Sequence, residues 1–205
     1  MAPRSQFEKT PISVRWDRQL RSAPNQLTLL RLAAIPFIII AILNGRWGWA
    51  LALFLLAGVS DALDGLLARA LQQRTMLGAY LDPIADKLLL STLFLELAFV
   101  HRIPWTVTIM VFSRDVIILV VCAALYTAAN FRDFTPSIFG KMNTFAQIGT
   151  VFAILVSQVW SPPMITGAVW VGIRATVVLT TISGLHYVLR LGWQLRATDR
   201  KAGAA

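Results

Sequence analysis

One cysteine, Cys122, stands in the whole 205-residue chain, so no intrachain disulfide can staple it. It falls inside an apolar run, where a small buried hydrophobe is its expected role. Charge is scarce too. Only 14% of residues are Asp, Glu, Lys or Arg, against about 25% in ordinary soluble domains. With 57% hydrophobic residues and a mean hydropathy of +0.65, the chain has too little polar surface to cover itself in water, which excludes a soluble domain. The segment before Leu27 has no apolar core, so it is expected to be a basic cytoplasmic segment rather than a cleaved signal. No internal repeat is evident.

Acidic residues are the scarcer sign, ten against nineteen basic ones, for a net charge of +9. On a soluble protein, a pI near 10.8 would suggest nucleic acid as a partner. Here the cations lie mostly between and beside apolar runs, the pattern of topology control and of contact with anionic lipids. No nucleic-acid partner is expected.

The apolar runs define an all-α integral membrane protein. Six stretches approach or exceed the roughly 20 helical residues that cross a bilayer core: Leu27–Asn44, Trp49–Leu71, Tyr80–Val100, Trp105–Ala128, Ile138–Trp160 and Gly167–Trp193. The expected architecture is a six-transmembrane-helix bundle over residues 27–193, with a basic segment at 1–26 and a tail at 194–205. Pro36 can kink the first span. Within the first segment, Ile12, Trp16 and Leu20 recur every fourth residue among arginines, which predicts a helix lying on the leaflet surface.

Lysine and arginine set the orientation. Arg4, Lys9, Arg15, Arg18, Arg21, Arg69, Arg74, Arg132, Lys141, Arg196, Arg200 and Lys201 fall on one side, and Arg46 and Arg102 on the other. This bias puts both termini in the cytoplasm, and the bacterial inner membrane is the expected location. Trp47, Trp49, Trp105, Trp160 and Trp170 then form an outer aromatic belt, with Trp16 and Trp193 at the inner interface. Glu96 and Arg174, toward the outer ends of their spans, are expected to pair with each other or to snorkel outward.

Four of the carboxylates crowd into residues 61–86: Asp61, Asp64, Asp82 and Asp86. An aspartate at the centre of a spanning helix costs roughly 2.5–3.5 kcal/mol, so intramembrane carboxylates mark function by default. At 3.6 residues per turn, Asp61, Asp64, Gly65 and Ala68 share one helix face. Asp82 and Asp86 lie one turn apart on the next span, where Asp82 before Pro83 reads as an N-cap. Antiparallel neighbours joined by a short loop bring all four to one depth. Converging without basic partners, they would repel unless hard divalent cations, Mg²⁺ or Mn²⁺, received their oxygens. Two such metals are a standard device for phosphoryl transfer. Gly65, Ala68 and Gly78 clear space beside the carboxylates, and Arg69 can reach a phosphate oxygen.

The string Asp61-x2-Asp64-Gly65-x2-Ala68-Arg69-x8-Gly78-x3-Asp82-x3-Asp86 resembles the complete signature of the CDP-alcohol phosphatidyltransferases. Pro24-Asn25-Gln-Leu-Thr28-Leu-Leu-Arg31 resembles that family's first-span opening. Ser113-Arg114-Asp115 and Lys141-Met-Asn-Thr144-Phe-Ala-Gln147 resemble its fourth- and fifth-span blocks. The resemblance implies a six-helix membrane homodimer that uses CDP-diacylglycerol. It implies that Asp61, Asp64, Asp82 and Asp86 hold a two-metal site of Mg²⁺ or Mn²⁺, and that Asp86 is also the general base. Asp61, Gly65, Ala68, Arg69, Gly78 and Thr28 would seat the cytidine diphosphate, and Arg114 and Lys141 the acceptor.

The branch of the family that makes phosphatidylglycerol phosphate usually carries two further cations, at the places of Cys122 and Asn143. Their absence leans the acceptor toward phosphatidylglycerol, as in the CMP-forming cardiolipin synthases, with glycerol 3-phosphate the alternative. A divalent-cation transporter is a reading of another class. It predicts polar residues continuing to the far side of the membrane.

Overall fold

The computed structural model describes the backbone of residues 23–70, 76–129, 138–160 and 162–202, and the side chains of 28–61, 63, 84–118, 120, 138–160 and 162–189. Six helices and no strand occur among the described residues: α1 Ala23–Leu43, α2 Trp47–Ala70, α3 Met76–Phe99, α4 Trp105–Ala129, α5 Ile138–Val159 and α6 Pro163–Ala202. Each expected apolar run therefore forms a helix. The surface helix expected within residues 11–23 falls almost wholly outside the described residues.

The turns at the far end from the aspartates close by backbone chemistry that the sequence encodes. Gly45 takes a positive φ of 67°. Its N–H bonds Ile42 O at 2.9 Å, while Arg46 N–H reaches Ala41 O at 2.8 Å. That pair of bonds is a Schellman cap, in which glycine occupies the left-handed position without steric cost. His101 does the same work after α3, with φ 59° and Arg102 N–H on Leu97 O at 2.8 Å. Pro163 opens α6 at a position where no amide is needed.

Two expectations about boundaries change. α3 starts at Met76, so Asp82 and Pro83 lie inside it rather than at an N-cap. Leu77, Tyr80 and Leu81 extend the apolar pattern upstream, and a membrane helix tolerates an interior proline because neighbouring groups satisfy its freed carbonyl. α6 runs without a break to Ala202, nine residues beyond the expected end at Trp193.

The helices pack as a ring in which α1 touches α2 and α3, α2 touches α5, α5 touches α6, α6 touches α4, and α4 touches α3. A further contact joins α3 to α5 across the ring. The buried core joins Ile38 and Ile42 of α1, Phe54 of α2, Leu93, Phe94 and Leu97 of α3, Val107 and Val111 of α4, and Ile154 and Leu155 of α5. The outer surface is apolar as well. Phe37, Ile109, Val120, Phe145 and Val171 are all more than 60% exposed, far beyond the patches a water-soluble monomer shows. α5 and the Pro163–Leu189 part of α6 are long and apolar enough to cross a bilayer on their own, and Thr28–Leu43 and Trp47–Asp61 are shorter apolar segments.

Trp49, Trp105, Trp160 and Trp170 are exposed at the end remote from the aspartates, consistent with the expected belt. The Arg102 guanidinium lies 5.3 Å from the Trp47 ring centre. Arg174 stacks over Trp170 at 6.0 Å and makes no ion pair with Glu96 among the described residues. Of the two fates expected for Arg174, the outward one is observed. Among the described residues the core toward this end is largely apolar, with Thr108, Thr150 and Thr176 the buried polar side chains beside it.

A polar seam fastens α5 and α4 to α6. Thr150 Oγ1 lies 2.9 Å from Thr176 Oγ1, and Thr180 Oγ1 donates to Asn143 Oδ1 at 2.9 Å. Arg114 NH2 donates to Ser183 Oγ at 2.9 Å. Small residues permit the approach: a Cβ on Gly172 would meet Thr150 Oγ1 at 2.9 Å and its Cα at 3.3 Å. Close backbones bridged by hydroxyls are how helices associate where lipid removes the hydrophobic drive between them.

Candidate functional site

Asp61 on α2 and Asp86 on α3 meet, and what joins them is a cation. Arg31, on α1, donates through NH2 to Asp61 Oδ1 at 2.7 Å and through NH1 to Asp86 Oδ1 at 2.6 Å. The guanidinium is 1% exposed, while the two carboxylates keep 48% and 44% of their side-chain surface. The planar fork suits this task, because its donors diverge toward two acceptors held by different helices. Buried Thr28 precedes Arg31 by one turn on the same helix face.

The expectation that the carboxylates converge without a basic partner is thus corrected for Asp61 and Asp86. Arg31 was legible as a lone cation within an apolar span, which is itself a signal of an intramembrane partner. A buried Arg with half-exposed partners contributes less than the roughly 3–5 kcal/mol lost when a fully buried pair is broken. Arg31→Met is therefore expected to lower stability by about 2 kcal/mol and to cut turnover. Arg31→Lys should restore less than half the loss, since one ammonium cannot span both oxygens as a fork does. Thermal unfolding in detergent alongside a turnover assay checks both.

A crevice opens directly at this pair. It is lined by Arg31, Asp61 and Asp86 and continues past Phe54, Ala57, Gly58, Leu89 and Leu90 to Thr144 and Ile148 of α5. A second, almost wholly apolar recess, about 140 Å³, lies on the α1–α2 face and shares Arg31 and Ala57 as its wall.

Among the other expected site residues, Asp64, Gly65, Ala68 and Arg69 fall on the last turns of α2, and Gly78 and Asp82 on the first turns of α3. Their side chains lie outside the described residues. Among the described residues, no three carboxylate, imidazole or thiol groups gather. The donors that do gather are two carboxylates with half their surface open and neither sulfur nor imidazole beside them. That donor set fits a hard, oxygen-seeking cation.

Arg114 and Lys141 are not brought against the carboxylates directly. Arg114 is buried on α4, its NH1 donating to Asp115 Oδ1 at 2.7 Å. The same oxygen receives Lys87 Nζ at 2.7 Å. Lys87 follows Asp86 on α3, so a polar chain runs Asp86–Lys87, Asp115, Arg114, Ser183. Lys141 is exposed on the first turn of α5. Asp115 entered the sequence reading only as part of the fourth-span block, and Lys87 not at all; the signal of both was charge inside an apolar span.

A family model described as CDP-alcohol phosphatidyltransferase matches residues 21–182. The chain is 33% identical over 179 residues to a probable phosphatidylglycerophosphate synthase of Mycobacterium tuberculosis, covering 84% of this chain and 82% of that protein. It is 32% identical over 195 residues to the CDP-diacylglycerol–glycerol-3-phosphate 3-phosphatidyltransferase of Bacillus subtilis, covering 86% and 97%. It is also 32% identical over 184 residues to the human CMP-forming cardiolipin synthase, covering 80% of this chain and 60% of that longer protein.

Proposed function

The chain belongs to the CDP-alcohol phosphatidyltransferase family, and we propose that its acceptor is phosphatidylglycerol, which makes it a CMP-forming cardiolipin synthase of the membrane. The observation that carries a phosphatidyltransferase site in this chain is the meeting of Asp61 and Asp86 on Arg31 beside an apolar crevice. A lipid diphosphate needs both parts: carboxylates for the polar reaction and hydrocarbon walls for the chains.

In this reading all six helices span the bilayer, the aspartate-bearing ends face the cytoplasm, and the protein works as a homodimer. Asp61, Asp64, Asp82 and Asp86 hold Mg²⁺ or Mn²⁺, which supplies charge stabilisation for the diphosphate under attack. Thr28, Gly65, Ala68, Arg69 and Gly78 line the cytidine diphosphate seat. Arg31 holds the Asp86 carboxylate in one orientation, a requirement for a base that acts through hydrogen-bond reach. Asp86 removes the proton from the acceptor hydroxyl. The hydroxyl oxygen bonds to the phosphorus that carries the lipid, the bond from that phosphorus to CMP breaks, and CMP leaves with the electron pair.

The acceptor assignment is supported at Asn143. A cation expected there in the glycerol 3-phosphate branch is replaced by an amide, fully buried and accepting from Thr180. Cys122 replaces the other cation. The second reading, glycerol 3-phosphate, is favoured by the names of the Mycobacterium and Bacillus relatives. Incubating purified protein with CDP-diacylglycerol, metal and each acceptor separately decides between them. Cardiolipin is the expected product; phosphatidylglycerol phosphate alone promotes the second reading.

A further inference from the structure

The cations at the two ends of the bundle have different surroundings. Arg31 and Arg114 are buried on carboxylates. At the end remote from the aspartates, Arg46 and Arg102 are exposed and make no ion pair among the described residues. Arg102 lies over Trp47. Arg46 lines an open cleft of about 650 Å³, with Trp47, Gly48, Trp49 and Ala52 of α2 on one wall and Gln158 and Val159 of α5 on the other. That volume falls within the roughly 300–1,000 Å³ of clefts that hold small ligands. The cleft contains a cation and no carboxylate. It is clear at Gly48, where a Cβ would meet no atom within 4 Å. Trp49 is 66% exposed and belongs to the tryptophan belt, whose amphipathic rings sit at headgroup level. Along the same helix faces, Ala52 is followed by Leu56 and Val159 by Phe152, both exposed hydrocarbon.

We propose that this cleft is a binding site for an anionic phospholipid, separate from the crevice at Asp61 and Asp86. The Arg46 guanidinium holds the lipid phosphate, for which its planar fork of donors is suited. The headgroup fills the space beside Gly48, and the chains lie on the apolar faces of α2 and α5. A zwitterionic lipid fits less well, because it brings a second cation to a cleft that has no carboxylate to receive it. Because the two walls belong to different helices, a lipid touching both ties the start of α2 to the end of α5. Whatever binds the folded protein and not the unfolded chain stabilises the fold, so the bound lipid is a structural ligand. The site shares no residue with the reaction. It rests on the membrane placement of the chain and not on the choice of acceptor.

The test is thermal unfolding of the full chain in uncharged detergent, titrated with phosphatidylinositol, whose headgroup is anionic and carries no cation. Phosphatidylcholine and inorganic phosphate are titrated in parallel. Phosphatidylinositol is expected to raise the unfolding temperature by roughly 3–5 °C, and the other two by much less. Arg46→Gln should increase the half-saturating lipid fraction about tenfold or more, the value of a charge-assisted hydrogen bond. Gly48→Leu fills the cleft without meeting a neighbour and should abolish the rise, which keeps the test open if Arg46→Gln folds poorly. Arg174→Gln removes the same charge from the same end outside the cleft, and should respond as the wild type does. An equal rise with phosphatidylcholine or with inorganic phosphate would overturn the proposal. So would an unchanged response in Arg46→Gln and Gly48→Leu, or an equal loss in Arg174→Gln, which would report general attraction to charge.

Discussion

Asp86→Asn is expected to cut phosphatidyl transfer far more than it weakens CDP-diacylglycerol binding. A positioned general base is worth about 10²–10⁴-fold, and an amide cannot take the acceptor's proton. The asparagine carbonyl can still accept from Arg31 NH1 where Asp86 Oδ1 does now, so the fold should survive with a modest loss in thermal stability. Turnover and equilibrium binding of CDP-diacylglycerol are measured on the same preparation. Near-normal turnover removes Asp86 from the role of base. Asp61→Asn gives the contrast: a diphosphate-side change weakens CDP-diacylglycerol binding along with turnover.

Chelation is expected to have an effect as large. Activity should drop to background in EDTA and return with Mg²⁺ or Mn²⁺. Arg31 offsets one of the two negative charges it bridges, and Asp64 and Asp82 add two more to the same helix ends. If the four converge as proposed, that residual charge should attract a hard cation whether or not substrate is present. A second readout therefore follows: Mg²⁺ should raise the unfolding temperature of the substrate-free protein, and less so in Asp61→Asn. Full turnover with metal shown to be absent would sink the two-metal reading.

Much of this molecule was legible because its chemistry is local. Apolar runs near 20 residues became helices, and Gly45 and Pro163 sit where a left-handed turn and a helix start need them. The carboxylate pair was legible from helical periodicity and from the cost of charge in hydrocarbon. The partner, Arg31, was not assigned, because it lies 30 residues from Asp61 and 55 from Asp86, and a distance in sequence carries no register between helices. The same holds for Lys87 with Asp115 and for Asn143 with Thr180, whose pairing depends on which helices are neighbours. The N-cap reading of Asp82 failed for another reason. Proline is also compatible with a helix interior where neighbouring groups satisfy the freed carbonyl, so Pro83 alone does not mark a helix start.

The polar bonds are distributed unevenly around the ring, and that has a mechanical consequence. α1, α2 and α3 are tied by Arg31, and α4, α5 and α6 by the Thr150, Asn143 and Arg114 bonds, which makes two triads. Along α3 and α4 the triads are riveted by Lys87–Asp115 and by Thr108 Oγ1 on Phe94 O at 3.0 Å. Along α2 and α5, no hydrogen bond crosses among the described residues, and the contact is dispersion between apolar side chains of the shared core, Phe54 and Ala57 on α2 and Val151, Ile154 and Leu155 on α5. Parting the triads on that line sacrifices contacts worth about 0.1–0.2 kcal/mol per atom pair, whereas the other line gives up an ion pair and a buried hydrogen bond. The polar ties between the triads thus lie on α3–α4, and the line held by dispersion is the one that carries the crevice at Asp61 and Asp86.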